Sequence, residues 1–247
     1  MGVRHWIRVR ENLRAMISPF RGWLKWHHIM GLFSGLIVVS WIFSGWLSMD
    51  HGRIFSTPNP TEEQITALRG GPLAEILSKV NNPNLTRHSG AKELTLHSFS
   101  GGPLVIAKNE NSIIDASILQ PELVAQAVDD AFPDISIDSW GVVQSNDTYT
   151  DLLEGSLPSG TIRIELSDPA KTWLHIDNRS GEILMVMDSS RRVYRWLYNG
   201  LHSLDFPGLS NSRPLWDILM IVLLSAGFIA SMTGTVLGAR RAFSLFR

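Results

Sequence analysis

Two uninterrupted apolar runs, one towards each end, constrain this 247-residue chain more than any other feature. Ile29 to Leu47 carries no charge, and Leu215 to Leu237 carries one, Asp217, near its start. Each run is about 20 residues, enough to cross a ~30 Å hydrocarbon core at about 1.5 Å per residue. A helix in a soluble domain seldom stays apolar on every face for that length. The expected architecture is therefore a pair of membrane spans, residues 28–49 and 214–238, with a domain between them.

Charge sets the expected orientation. Residues 1–27 carry Arg4, Arg8, Arg10, Arg14, Arg21 and Lys25 against the single acid Glu11. The tail after the second run carries Arg240, Arg241 and Arg247 and no acid. Between them, residues 50–213 hold 13 Lys and Arg against 21 Asp and Glu. Basic flanks stay in the cytoplasm, which puts both termini inside and translocates the acidic middle. The long basic start, without a small-residue cleavage site, reads as an uncleaved signal anchor of a bacterial inner-membrane protein. The chain has no Cys, which excludes thiolate catalysis, Cys-ligated zinc and thioether-linked haem, and leaves the outer domain to rely on packing. Its acidity disfavours nucleic acid as a partner.

Local patterns fill in the rest. Residues 4–20, with Trp6, Ile7, Leu13 and Ile17, read as a basic helix on the inner membrane surface. Trp23 and Trp26 suit the inner interface, and Trp46, Trp196 and Trp216 the outer one. Pro214 suits the first turn of the second span, with Asp217 near that helix's positive end. The outer domain shows a weak repeat of one helix followed by an antiparallel meander, an α+β pattern. Its first half, 50–118, has Leu73, Ile76, Leu77 and Val80 at helical spacing, then strand-like Glu93–Phe99, Pro103–Lys108 and Ser112–Ser117. Its second half, 119–189, has a helix after Pro121, then strands at Ile137–Ser145, Thr161–Leu166, Thr172–Asp177 and Ile183–Met187. Leu123, Val128, Ile137, Ile164, Leu174 and Ile176 are the expected core, and Asp147–Gly160 an open, mobile loop. Residues 190–213 read as an interfacial segment, with Arg191–Leu204 as one amphipathic helix, and 239–247 as a cytoplasmic tail.

The segments Trp173-Leu174-His175-Ile176-Asp177 and Ser180-Gly181-Glu182-Ile183 resemble the end of a PepSY domain. Trp26-His27-His28-Ile29-Met30-Gly31-Leu32, running into Trp41-Ile42-Phe43-Ser44-Gly45, is similar to the PepSY-associated transmembrane helix. So are Arg195 to Pro207 and Arg213-Pro214-Leu215-Trp216-Asp217. The resemblance spans most of residues 23–241. It implies a group of iron-regulated bacterial membrane proteins, some of them haem-containing ferric-siderophore reductases. It further implies periplasmic electron transfer or iron handling, with haem b as cofactor and an iron-siderophore as substrate. Longer members have four or more spans, whereas this chain carries two.

Haem iron is commonly held by axial imidazoles, so the membrane-boundary histidines are the candidate ligands: His28, His51 and His202. His28 and His51 are 23 positions apart, about 35 Å along a helix, and cannot serve one haem. His51 and His202 share the outer side; an inner site at His28 needs a second copy or another subunit. A His-His pair beside Trp also serves simply to anchor a helix among lipid headgroups. His27 ranks below the other three, and His5, His88, His97 and His175 read as structural or solvated. Gly31-x-x-x-Gly35 and Gly234-x-x-x-Gly238 are faces for close helix approach and favour a homodimer or larger complex. The alternative function is a non-catalytic module, anchored in lipid, that binds or restrains a periplasmic partner such as a peptidase or transporter subunit.

Overall fold

The structure is a computed structural model and describes residues 18–49, 52, 54–80, 88, 90–110 and 112–245. His51, His5 and most of the expected basic surface helix lie outside the described residues. In chain order the helices and strands begin with α1 (Gly22–Ser48), α2 (Glu62–Arg69) and α3 (Leu73–Ser78). Strands β1 (Glu93–Phe99), β2 (Gly102–Lys108) and β3 (Ile113–Ala116) follow, then α4 (Pro121–Ala131) and β4 (Ile137–Val142). A small hairpin, β5 (Asp151–Leu152) and β6 (Gly155–Ser156), precedes β7 (Ile162–Leu166), β8 (Trp173–Ile176) and β9 (Ile183–Met187). The chain ends with α5 (Ser189–Arg195), a π-helical turn (Trp196–Gly200), α6 (Leu201–Ser203) and α7 (Arg213–Leu245). It is an α+β protein in two compact units, one ending at Gly52 and resuming at Trp196, the other running from Arg53 to Arg195.

In the first unit, α1 and α7 are long and apolar enough to cross a membrane. Each leaves most of its apolar surface uncovered: Leu36 is 79 % exposed and Phe228 66 %, against buried Leu47, Leu223 and Ala226. That pattern separates them from the core helices of a soluble domain, whose apolar stripe is covered. Both helices outrun the expected spans, starting at Gly22 and ending at Leu245. Hydrogen bonding propagates along a helix until a Pro or a cap stops it, and the change from apolar to basic sequence does neither. Hydroxyls on these helices are satisfied locally: Ser34 Oγ donates to Met30 O (2.7 Å), Ser48 Oγ to Gly45 O (2.7 Å) and Thr235 Oγ1 to Ser231 O (3.0 Å). Back-bonding of this kind lets Ser and Thr sit in hydrocarbon.

The helices also meet through polar atoms. His27 Nδ1 lies 3.2 Å from both Ala230 O and Thr233 Oγ1, and Ser44 Oγ lies 3.1 Å from His202 Nδ1. Those links set the start of α1 beside the later half of α7, and the end of α1 beside α6. A Cβ at Gly234 would come within 3.1 Å of the His27 ring, so this glycine clears space for an imidazole. Gly31, Gly35 and Gly238 have nothing within 4 Å of such a Cβ, so none of them clears space for a side chain as Gly234 does. The stretch expected as one amphipathic helix over Arg191–Leu204 is interrupted by the π turn and closes at Leu204 in a left-handed conformation (φ 51°). Trp196 stacks on Phe206 there (centroids 6.4 Å), and Trp216 Nε1 donates to Ser203 O (3.2 Å).

The second unit holds a three-stranded antiparallel sheet ordered β1-β2-β3 and a four-stranded antiparallel sheet ordered β4-β7-β8-β9. Alternation builds its core: Ile162, Ile164 and Leu166 point one way from β7 and are buried, while Arg163 and Glu165 point the other. Val124, Ala127, Val128 and Ala131, at positions i, i+3, i+4 and i+7, form the buried stripe of α4. One cluster joins these to Leu174, Ile176, Leu68, Phe99 and Leu104, so the two halves share a single core. Leu123, expected in that core, is 45 % exposed, because it sits one position, about 100° of rotation, off the stripe. Ile137 is only half-buried.

Helix α2 was not anticipated, although its capping box is legible: Gln64 N donates to Thr61 Oγ1, and Thr61 N to Gln64 Oε1. Gly70 ends it with φ +81°, and a Cβ there would collide with the backbone of Gly101. Residues 147–160, expected as an open loop, fold into the β5–β6 hairpin pinned at Asp147.

Candidate functional site

Chemistry-bearing side chains gather in two places. The first is the helical unit. His202 presents Nδ1 to Ser44 Oγ, stacks on Tyr198 (centroids 5.1 Å, planes 17° apart) and lies against Gly45. His28 packs edge-on against Phe20 (5.2 Å), and its Nδ1 is buried without a hydrogen-bond partner. His27, ranked below both from sequence, is the histidine that bridges α1 and α7. Only the tertiary fold makes that distinction, since adjacent helical residues differ by about 100° in direction.

His28 lies 16 positions before Ser44, the residue bonded to His202, so the two imidazoles are about 24 Å apart along α1. They do not share a site. Among the described residues no group of three or more His, Asp or Glu side chains is gathered to hold a metal ion. The local chemistry nevertheless suits axial ligation. A ligating His characteristically bonds an oxygen through its other ring nitrogen, which fixes tautomer and orientation. Ser44 provides that oxygen for His202, and the orphaned Nδ1 of His28 is a nitrogen still lacking a partner. Each location provides one such imidazole per chain among the described residues, so a bis-imidazole site draws its second ligand from beyond them.

The second place is the far face of the four-stranded sheet. Arg163 on β7 donates from Nη1 and Nη2 to both carboxylate oxygens of Asp147 (2.9 and 2.7 Å) and from Nε to His175 Nε2 (2.9 Å). Its guanidinium lies 4.4 Å from the Trp173 ring centroid, and the Arg192 guanidinium 4.1 Å from it. Asp147 also accepts from Tyr149 N (3.0 Å) and Thr150 Oγ1 (3.2 Å). Burial works against the Asp147 carboxylate, but Arg163 and these donors together hold its pKa below the usual 3.8.

His175 is fully buried. Burial first, and the Arg163 charge second, push its pKa from 6.5 down to about 4. The ring is therefore neutral, accepting at Nε2, with its proton on Nδ1 facing the Met185 backbone of β9 without a well-formed bond. The network ties β7, β8 and the 147–160 hairpin together and reads as structural, as expected for His175. Its sequence trace is faint, because Asp147, Arg163 and His175 are separated by 16 and 12 positions. His88 and His97 each sit 3.3 Å from an acid, Asp115 and Glu182 respectively.

No protein-family model, no curated protein and no solved structure matches this chain.

Proposed function

We propose that the chain is a PepSY-type inner-membrane protein with both termini cytoplasmic and residues 50–213 in the periplasm, where 50–118 and 119–189 form two PepSY-like units and 190–213 an interfacial segment. On this reading it holds haem b at its membrane-boundary histidines and supports periplasmic electron transfer or ferric-siderophore and iron handling. The observation that carries it is His202: its ring is oriented by Ser44 Oγ at Nδ1 and by Tyr198 stacking, which leaves Nε2 as the ligating nitrogen. His51 is the outer partner proposed from sequence, and His28 belongs to a second, inner site completed by another copy or subunit. Bound haem supplies a one-electron couple. The chain's own part is to orient the imidazoles and to surround them with apolar side chains, which tune the potential. The open glycines Gly31 and Gly35 support a homodimer or larger complex.

The visible spectrum of detergent-purified protein, expressed with ample haem, tests the reading. A reducible b-type Soret band is expected, and His202→Ala should remove or shift the outer haem while leaving insertion intact, since insertion depends on the apolar runs. An unchanged spectrum in that variant eliminates His202 as a ligand. A haem-free wild-type protein favours the alternative, a non-catalytic module that binds a periplasmic partner. The hydrogen bonds by which His27 bridges α1 and α7 give that histidine a structural role, which suits the alternative.

Orientation is tested separately. A periplasm-dependent reporter fused after Gly160 should be active, and one fused after Arg247 inactive. The opposite pattern reverses the topology.

A further inference from the structure

His27 and Thr233 set the register of α1 on α7, with 3.2 Å between Nδ1 and Oγ1. Trp23 lies four positions before His27 on the same face of α1, and Arg240 seven positions after Thr233 on the same face of α7. These two side chains therefore form the next layer of the seam between the helices, and the Arg240 guanidinium stands 5.9 Å from the Trp23 ring centroid. Both remain exposed. Among the described residues the guanidinium has no ion pair, and the Trp23 indole N–H has no acceptor.

No acid on either helix neutralises that end. Helix α1 holds none, and the one acid of α7, Asp217, is 23 positions before Arg240, about 35 Å along the helix, where it pairs with Arg213 (3.3 Å). Arg241, next to Arg240, adds a second exposed cation. Large apolar side chains of the same ends, Leu24 and Trp26 on α1 and Met232 on α7, are also uncovered.

An uncompensated cation beside bare apolar surface selects an amphiphile with a negative head. A phosphodiester suits the head, because the guanidinium fork bonds two of its oxygens at once. The indole adds an N–H donor at the depth of the glycerol and ester groups, where Trp collects in membranes. A soluble phosphate would meet the charge and leave the apolar side chains bare. From this combination we infer that the seam between the start of α1 and the end of α7 binds one anionic phospholipid, with Arg240 on its phosphate, Trp23 against its glycerol region and an acyl chain along the exposed apolar side chains. A zwitterionic phospholipid fits less well, because its own ammonium competes with Arg240 for the phosphate. The inference rests on α1 and α7 crossing a membrane; it is independent of haem and of the orientation of the chain.

A basic flank also attracts anionic lipid diffusely, each Lys or Arg near the surface contributing about fivefold in affinity. A seated lipid differs in depending on where the charge stands. Lys25 provides the control, since it lies two positions after Trp23, about 200° round α1 and away from the seam.

The experiment titrates the full chain in detergent with dioleoylphosphatidylglycerol or dioleoylphosphatidylcholine and counts bound lipid by native mass spectrometry. One phosphatidylglycerol per chain should be retained in preference to phosphatidylcholine. Arg240→Gln should weaken its binding about fivefold, Trp23→Leu should weaken it too, and Lys25→Gln should change it by less than about twofold. Glycerol 1-phosphate, a head without chains, should not displace the lipid at equal concentration. The inference is overturned by equal retention of the two lipids, by displacement with glycerol 1-phosphate, or by Lys25→Gln matching Arg240→Gln, which leaves only diffuse attraction to a basic flank. Incorporation of the wild-type chain and the variants into bilayer nanodiscs checks the spans separately. A chain that inserts without lipid preference fails this inference alone, whereas one that does not insert fails the membrane reading itself.

Discussion

Arg163→Met should destabilise the sheet-containing unit by about 3 kcal/mol, one of the largest effects of any single exposed-face substitution in it. The side chains of Arg163 and Asp147 are only 15 % and 19 % exposed, so removing the guanidinium strands a carboxylate that water reaches poorly. It also deprives His175 Nε2 of its donor and removes the cation that stacks on Trp173. Such a loss exceeds what a surface ion pair contributes, because most of it is the cost of leaving a desolvated charge unpaired. Hydrogen exchange of the full chain in detergent checks it locally. Peptides from β7, β8 and the 147–160 hairpin should exchange about a hundredfold faster or more, while those from α1 and α7 stay protected. Asp147→Asn in the same background should restore part of the stability, since it removes the stranded charge. Unchanged protection in Arg163→Met would show that the network contributes nothing to the fold.

Acid should weaken the same unit well before its carboxylates protonate. His175 takes up a proton at about pH 4 in the folded protein and at about 6.5 when unfolded. As pH falls below 6.5, the unfolded chain therefore binds protons first, and stability drops. The contribution is complete above that pH, has fallen by about 2 kcal/mol at pH 5, and is lost by about 3 kcal/mol below pH 4. Asp147 has its pKa held below 3.8, so its own contribution is present above that value and disappears at still lower pH. Denaturant midpoints measured from pH 8 to pH 4 follow this directly. His175→Gln keeps an acceptor for Arg163 Nε and should flatten the curve between pH 6.5 and 5. A slope that persists in that variant would assign the acid sensitivity to another group.

Both expectations rest on side chains that looked ordinary in the linear chain. Asp147 stands in a polar stretch with the pattern of a loop, and Arg163 and His175 each stand in a strand pattern with no sign of a shared partner. Antiparallel register aligns Arg163 with His175, and only the return of the 147–160 hairpin brings the carboxylate to the guanidinium. The membrane-boundary histidines show the opposite balance. Their nearness to the ends of an apolar run was plain, but their ranking was not. His27 turned out to bridge the helices and His28 to keep an unpartnered nitrogen.

What the sequence determined by itself was whatever depends on neighbours in the chain. Continuous apolar composition is enough for the helices α1 and α7, because an all-apolar helix of that length needs no tertiary partner to satisfy its backbone. Period-two alternation was enough for β7 and β8, and Pro121 followed by a 3.6-residue period was enough for α4. Even α2 announces itself through the Thr61–Gln64 capping box. Tertiary structure alone decided which glycine faces a side chain, that two meanders share one core, and which charges lose their water. Each of these depends on long-range contacts whose partners lie tens to hundreds of residues apart. A local pattern states what a segment tends to form, whereas burial and pairing exist only once distant segments have met.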